Sequence, residues 1–84
     1  MEIFFKDKKP LLDDINPVVL GKILKIIRIA ENIKKTVLAK QLGVDRTTVF
    51  FIEKGDRLPS LSYIYKFANI FRLNVDYILK SSII

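Results

Sequence analysis

Residues 36–54 read TVLAKQLGVDRTTVFFIEK. Leu38, Ala39 and Leu42 precede Gly43-Val44, and Val49 and Ile52 follow it, all at helical spacing. This is the pattern of two short helices packed across a tight turn, a helix-turn-helix, in which the second helix is held out from the body of the domain. A glycine at 43 supplies the left-handed backbone that stops the first helix, and Gly55 does the same for the second. Asp45 stands where an N-cap belongs and is expected to accept from the Thr48 N–H. The segment predicts one helix over about Lys35–Leu42 and another over about Arg46–Lys54.

Outward from this unit, every neighbouring segment also reads as helix. Asn16-Pro17 is a strong start, because asparagine accepts from orphan N–H groups and proline is tolerated in the first turn. A helix is expected over about Pro17–Glu31, with Leu20, Leu24 and Ile27 as its core stripe and Val19, Ile23, Ile26 and Ala30 as a second stripe beside it. A helix so broadly apolar is covered on more than one side. Either the apolar cluster Ile3–Phe5 folds over it, the simpler expectation, or a second subunit does. Pro59-Ser60 marks the next boundary, and a helix over about Ser60–Phe71 would turn Leu61, Ile64, Phe67, Ala68 and Phe71 inward. Asn74 is placed to cap a short helix over Val75–Leu79. Helical elements with short connections predict a compact all-α bundle of five helices. Residues 1–15 read as an N-terminal arm, 16–80 as the domain and 81–84 as a tail.

Composition narrows the chemistry. At 84 residues the chain suits one domain, and its mean hydropathy of +0.25 is high enough to leave apolar surface for a partner subunit. No uninterrupted apolar run reaches the roughly 18 residues of a membrane span. The opening MEIFFKDKKP is broken by Lys6 and Pro10, unlike a secretion signal. Without Cys or His there are no disulfides, none of the commonest zinc ligands and no Ser-His or Cys-His nucleophile. The carboxylates form no acid–base grouping. Neither enzymatic activity nor a metal or cofactor is therefore expected. The net charge is +6, and half of it falls in residues 34–57, where Lys34, Lys35, Lys40, Arg46, Lys54 and Arg57 face only Asp45, Glu53 and Asp56. A basic patch centred on a helix-turn-helix points to nucleic acid.

Taken in order, several groups of residues resemble the XRE/Cro family of lambda-repressor-like DNA-binding domains. They are Leu20-Gly21, Leu24, Ile27 and Arg28, then Leu38-Ala39 and Gly43-Val44, then Val49, Ile52-Glu53 and Gly55, and finally Pro59-Ser60, Ile64, Ala68, Val75, Tyr77 and Ile78. The likeness runs from Leu20 to Leu79, about 60 of the 84 residues, and its ordered spacing makes it far more specific than a lone short motif. It implies a five-helix domain whose third helix enters the major groove, usually in a dimer and usually in a transcriptional repressor or regulator working in the cytoplasm on double-stranded DNA.

The resemblance also assigns positions. The base-reading ones fall on Arg46, Thr47 and Phe51, with Asp45 and Phe50 beside them. Arg46 suits a bidentate contact to guanine O6 and N7, or else a phosphate contact. Thr47 suits a base edge or a phosphate. Phe50-Phe51 departs from the polar residues more usual here. These aromatics would pack on thymine methyl groups and favour an A·T-rich target, or one of them would tuck against the first helix or the arm. Lys34 and Lys35 stand where the family often has a capping residue and a glutamine. Two cations at a helix N-terminus are unfavourable by about 0.3–1 kcal/mol each, which makes sense if they face phosphates. Thr36, Lys54, Arg57 and Ser60 extend the phosphate-facing set, with Ser60 at a helix N-terminus. Arg28 and Glu53 match a pair that bridges the first and third helices and are assigned to structure. The end of the chain carries Phe71, Leu73, Tyr77, Leu79, Ile83 and Ile84. Of these, Leu73, Tyr77, Ile83 and Ile84 are the candidates for a two-fold contact, unless the last residues are only a frayed tail.

The expected function is therefore a dimeric, sequence-specific DNA-binding regulator, most simply a repressor. Two alternatives remain. One is an antitoxin or restriction-modification controller working with a protein partner held by the arm or the tail. The other is a protein-interaction module that kept the fold and gave up DNA.

Overall fold

The computed structural model describes residues 15–82, in which five helices follow one another. They are α1 (Pro17–Ala30), α2 (Lys35–Leu42), α3 (Arg46–Lys54), α4 (Leu61–Phe71) and α5 (Val75–Lys80). Each boundary has a local cause. The Asn16 side chain accepts from the Val18 and Val19 N–H groups at 2.9 and 3.0 Å, which satisfies two donors that α1 leaves open. Ser60 and Asn74 do the same for α4 and α5 through the N–H groups of Tyr63 and Tyr77. Gly43 and Gly55 end α2 and α3 at φ 73° and 89°. Asn32 and Arg72 take the same left-handed backbone without being glycine, at φ 59° and 56°.

The core gathers where the five helices converge. Leu20 and Leu24 of α1, Leu38 and Leu42 of α2, Val49 and Ile52 of α3, Ile64 and Phe67 of α4 and Ile78 of α5 are all buried. Full burial of one such side chain is worth about 1.5–3 kcal/mol, so this cluster supplies most of the driving force for folding. Phe67 joins two aromatic neighbours, Tyr63 at 6.5 Å and Phe71 at 4.6 Å between ring centroids. Helix α3 is packed by α1 on one side and α2 on another. At Gly21 the two backbones pass so close that an added Cβ would collide with the carbonyl oxygens of Ile52 and Glu53. Only a residue without a side chain lets α1 lie this near to α3.

Several expectations need correction. The first helix ends at Ala30 and the fourth begins at Leu61, because Glu31 and Ser60 serve as caps. The fifth extends to Lys80. Leu61 faces out at 50% exposure, while Tyr63, which was not expected inside, is buried at 3%. Phe71 is only half-buried. On α1, Ile27 is half-buried, and the far end of the second stripe, Ile26 and Ala30, is exposed. The segment Ile3–Phe5 expected to cover it lies outside the described residues. Ile15 joins the core, and Ser82 is fully buried. The Asn16 N–H donates to the Ser82 carbonyl at 3.0 Å and so ties the start of α1 to the end of α5.

Candidate nucleic-acid interface

Helix α3 has two unlike faces. Its inner face, Val49, Ile52 and Glu53, is buried. Glu53 is held there by Arg28 of α1, whose Nε and Nη2 donate to the two carboxylate oxygens at 2.7 and 3.1 Å. The remaining guanidinium nitrogen Nη1 donates to the Ile33 carbonyl at 2.7 Å. One side chain thus fixes α3 and the α1–α2 connection together. Both partners of the pair are at least nine-tenths buried, so a two-pronged geometry is what makes the charges tolerable. The Tyr63 hydroxyl lies buried nearby and finds no hydrogen-bond partner among the described residues. Burial pushes its ionisation well above the usual tyrosine range, the Glu53 charge adds to this and Arg28 opposes it.

The outer face carries Arg46, Thr47, Phe50 and Lys54, all exposed, with Phe51 half-buried at its edge. Arg46, Thr47, Phe50 and Phe51 line one shallow groove of about 310 Å³. The two rings meet edge to face, 5.3 Å apart between centroids at 72°. Lys35 of α2 and Lys54 of α3 both bring their ammonium groups over the Phe50 ring, at 5.3 and 5.6 Å from its centroid. Residues 35 and 50 are too far apart in the chain for sequence spacing to reveal this cluster.

Beside it lies a second depression of about 340 Å³, lined by Arg28, Lys34, Lys35, Thr36 and Arg46. It opens at the start of α2, where Lys34 holds the cap position and makes no side-chain cap bond. The free N–H groups of the first turn and three exposed or half-exposed cations thus converge on one hollow, an arrangement complementary to an anion. On the other flank, Arg57 donates to the Thr48 hydroxyl at 3.4 Å, which keeps the loop after α3 against that helix. Lys54 is 3.4 Å from Asp56, both mostly exposed. The Ser60 oxygen is engaged in capping α4, which leaves its O–H to donate outward.

Asp45 does not cap α3 as expected. Its side chain makes no cap bond, and the Thr48 N–H instead donates to the Asp45 backbone carbonyl at 3.0 Å. The carboxylate is left exposed at the rim of the outer face. Near the end of the described chain, Tyr77 is 70% exposed and Leu73 packs half-buried against the core. Ile83 and Ile84 lie outside the described residues. Lys66 donates to the Leu42 carbonyl at 3.4 Å, a tie from α4 to the end of α2 that no motif announces. Among the described residues no cluster of His, Cys, Asp and Glu is placed to hold a metal ion, and no helix is long and apolar enough to cross a membrane.

Comparison with known proteins agrees with this geometry. The Helix-turn-helix family model matches residues 24–78. An uncharacterized HTH-type transcriptional regulator of Methanocaldococcus jannaschii is 42% identical over 53 residues, covering 63% of this chain and 80% of that one. Another, from Archaeoglobus fulgidus, is 40% identical over 53 residues, covering 63% and 75%. Among solved structures, the restriction-modification controller protein C.AhdI from Aeromonas hydrophila superposes with a TM-score of 0.67 at 31% identity, over 73% of this chain and 92% of that one. The P22 c2 repressor, solved with a synthetic operator, superposes with a TM-score of 0.70 at 21% identity, over 75% and 96%, a likeness of fold. Five helices, a helix-turn-helix at α2–α3 and a family match across more than half the chain place this protein in the XRE family of helix-turn-helix transcriptional regulators.

Proposed function

We propose that the protein is a dimeric repressor that reads an inverted-repeat DNA site through the outer face of α3. The observation that carries this reading is the convergence on one surface of a reading face and a phosphate-binding rim. Arg46, Thr47, Phe50 and Phe51 line the groove, Lys35 and Lys54 lie over Phe50, Lys34, Lys35, Thr36 and Arg46 line the adjoining hollow, and Arg57 donates to Thr48 of the same helix; with Ser60, at the start of α4, these are the phosphate contacts of the proposal. The Arg28–Glu53 pair holds the reading helix in register. Base contacts then supply specificity while the cations supply affinity. The two-fold contact uses the α5 end, with Leu73, Tyr77, Ile83 and Ile84, and sets the two reading helices roughly 34 Å apart, one DNA turn.

A second reading, as a controller of restriction-modification genes, is favoured by the 31% identity to C.AhdI. It shares the same DNA site and differs in the genes controlled. Selection of bound duplexes from a random pool at physiological salt tests the proposal. Enrichment of an inverted repeat with about 10 base pairs between half-site centres is the expected result. An unenriched pool would refute sequence reading, and a single unrepeated half-site would refute the dimer. With about eight phosphates neutralised by a dimer, the slope of log affinity against log salt is about −7. A slope near −2 would reject a dimer using these cations.

A further inference from the structure

Phosphate affinity and helix position do not call for two aromatic rings on the outer face of α3. Phe50 is 43% exposed, and an exposed ring of this kind is unfavourable in water unless something covers it. The rings are held ready: edge-to-face packing fixes one against the other, and Lys35 and Lys54 lie over Phe50. A surface fixed before binding loses little rotamer entropy on contact. Arg46 and Phe50 are four residues apart, as are Thr47 and Phe51, so each pair shares one side of the helix. Four residues of helix rise about 6 Å, the length of one to two base-pair steps. The apolar group that a base presents in the major groove is the C5 methyl of thymine, and a methylated cytosine carries the same group at the same place.

We infer that the groove between Arg46, Thr47, Phe50 and Phe51 is a receptor for the C5 methyl group of a pyrimidine, within two base pairs of the position Arg46 contacts. This rests on the DNA-binding reading above. Charge complementarity selects duplex DNA as the occupant: Arg46, Lys35 and Lys54 rim the apolar groove with cations matched to the phosphates that flank any base in the major groove. Phe50 and Phe51 are then specificity-determining residues that read methylation as well as sequence. The same pocket accepts thymine and 5-methylcytosine and discriminates against uracil and cytosine.

The test uses the full chain and the duplex recovered by selection. Each pyrimidine of a half-site is replaced in turn, comparing thymine with uracil and 5-methylcytosine with cytosine, so that each comparison changes one methyl group. At one position thymine is expected to bind about fourfold tighter than uracil, the equivalent of burying one carbon, and 5-methylcytosine to exceed cytosine by a similar factor. Phe50→Ala and Phe51→Ala should bring those ratios to about one while leaving the salt slope unchanged. Equal binding of thymine and uracil duplexes at every position overturns the inference and leaves sequence reading intact. Ratios that persist in both variants overturn it by placing the methyl elsewhere. Failure to select any duplex overturns the reading of α3 as a DNA helix, and this inference with it.

Discussion

The two faces of α3 obey different rules. On the inner face each group is committed: Val49 and Ile52 fill the core, Glu53 is gripped by Arg28, and the backbone at Ile52 is within touching distance of Gly21. On the outer face no side chain is buried, and the contacts are between rings and cations that remain open to solvent. Position is set from inside and chemistry is presented outside. Stability and recognition should therefore be separable by mutation.

The comparison is most open to attack at the buried pair. Arg28→Met leaves the Glu53 carboxylate without its partner and removes the bond to the Ile33 carbonyl, so a loss of about 3–5 kcal/mol is expected in denaturant unfolding. A loss below about 1 kcal/mol would show that the pair is not what anchors α3. Gly21→Ala is next. Its Cβ would collide with backbone at Ile52 and Glu53, which cannot swing aside as a side chain can. About 1–3 kcal/mol should be lost, and DNA affinity should fall with it because the reading helix shifts.

The rim behaves in the opposite sense. Lys34→Ser supplies the cap that α2 lacks, and should stabilise the fold by about 1 kcal/mol while lowering the magnitude of the salt slope by about 1 for each half-site. A substitution that raises the melting temperature and weakens DNA binding would separate the two roles cleanly; a fall in both would join them. Phe50→Ala should change stability by less than about 1 kcal/mol, since it gives up only exposed ring contacts, although it removes a wall of the reading groove. Thermal melts beside duplex titrations measure both quantities on the same sample.

Much of this was legible in the chain because the signals are local. Asn16-Pro17, Gly43, Gly55, Ser60 and Asn74 act through their own backbone and fix where helices start and stop whatever surrounds them. Asp45 misled because a side chain able to cap need not do so, and here the backbone carbonyl takes the Thr48 N–H. The register of α4 misled because two stripes fit a helical period equally well. Tyr63 carries a polar hydroxyl, yet its ring stacks on Phe67 inside the core while Leu61 turns to solvent. Arg72 ends α4 in a left-handed conformation that sequence associates with glycine. The candidate site divides in the same way. Its residues could be named from their order along the chain, but the meeting of Lys35 with Phe50 and of Arg57 with Thr48 depends on how α2 and the later loop fold back on α3.

The bond from the Asn16 N–H to the Ser82 carbonyl makes the path of the described chain nearly a closed loop. Such a molecule can in principle be cut and rejoined: a short linker between residues 82 and 15 would keep Ile15 in the core, and new ends opened in the exposed loop at 56–58 would interrupt no helix, at the cost of loosening Arg57 from Thr48. The order in which the five helices are threaded would then change while α3 kept its packing against α1 and α2. What defines the described helices as a unit is the closed contour of their packing, more than the order in which the chain threads them.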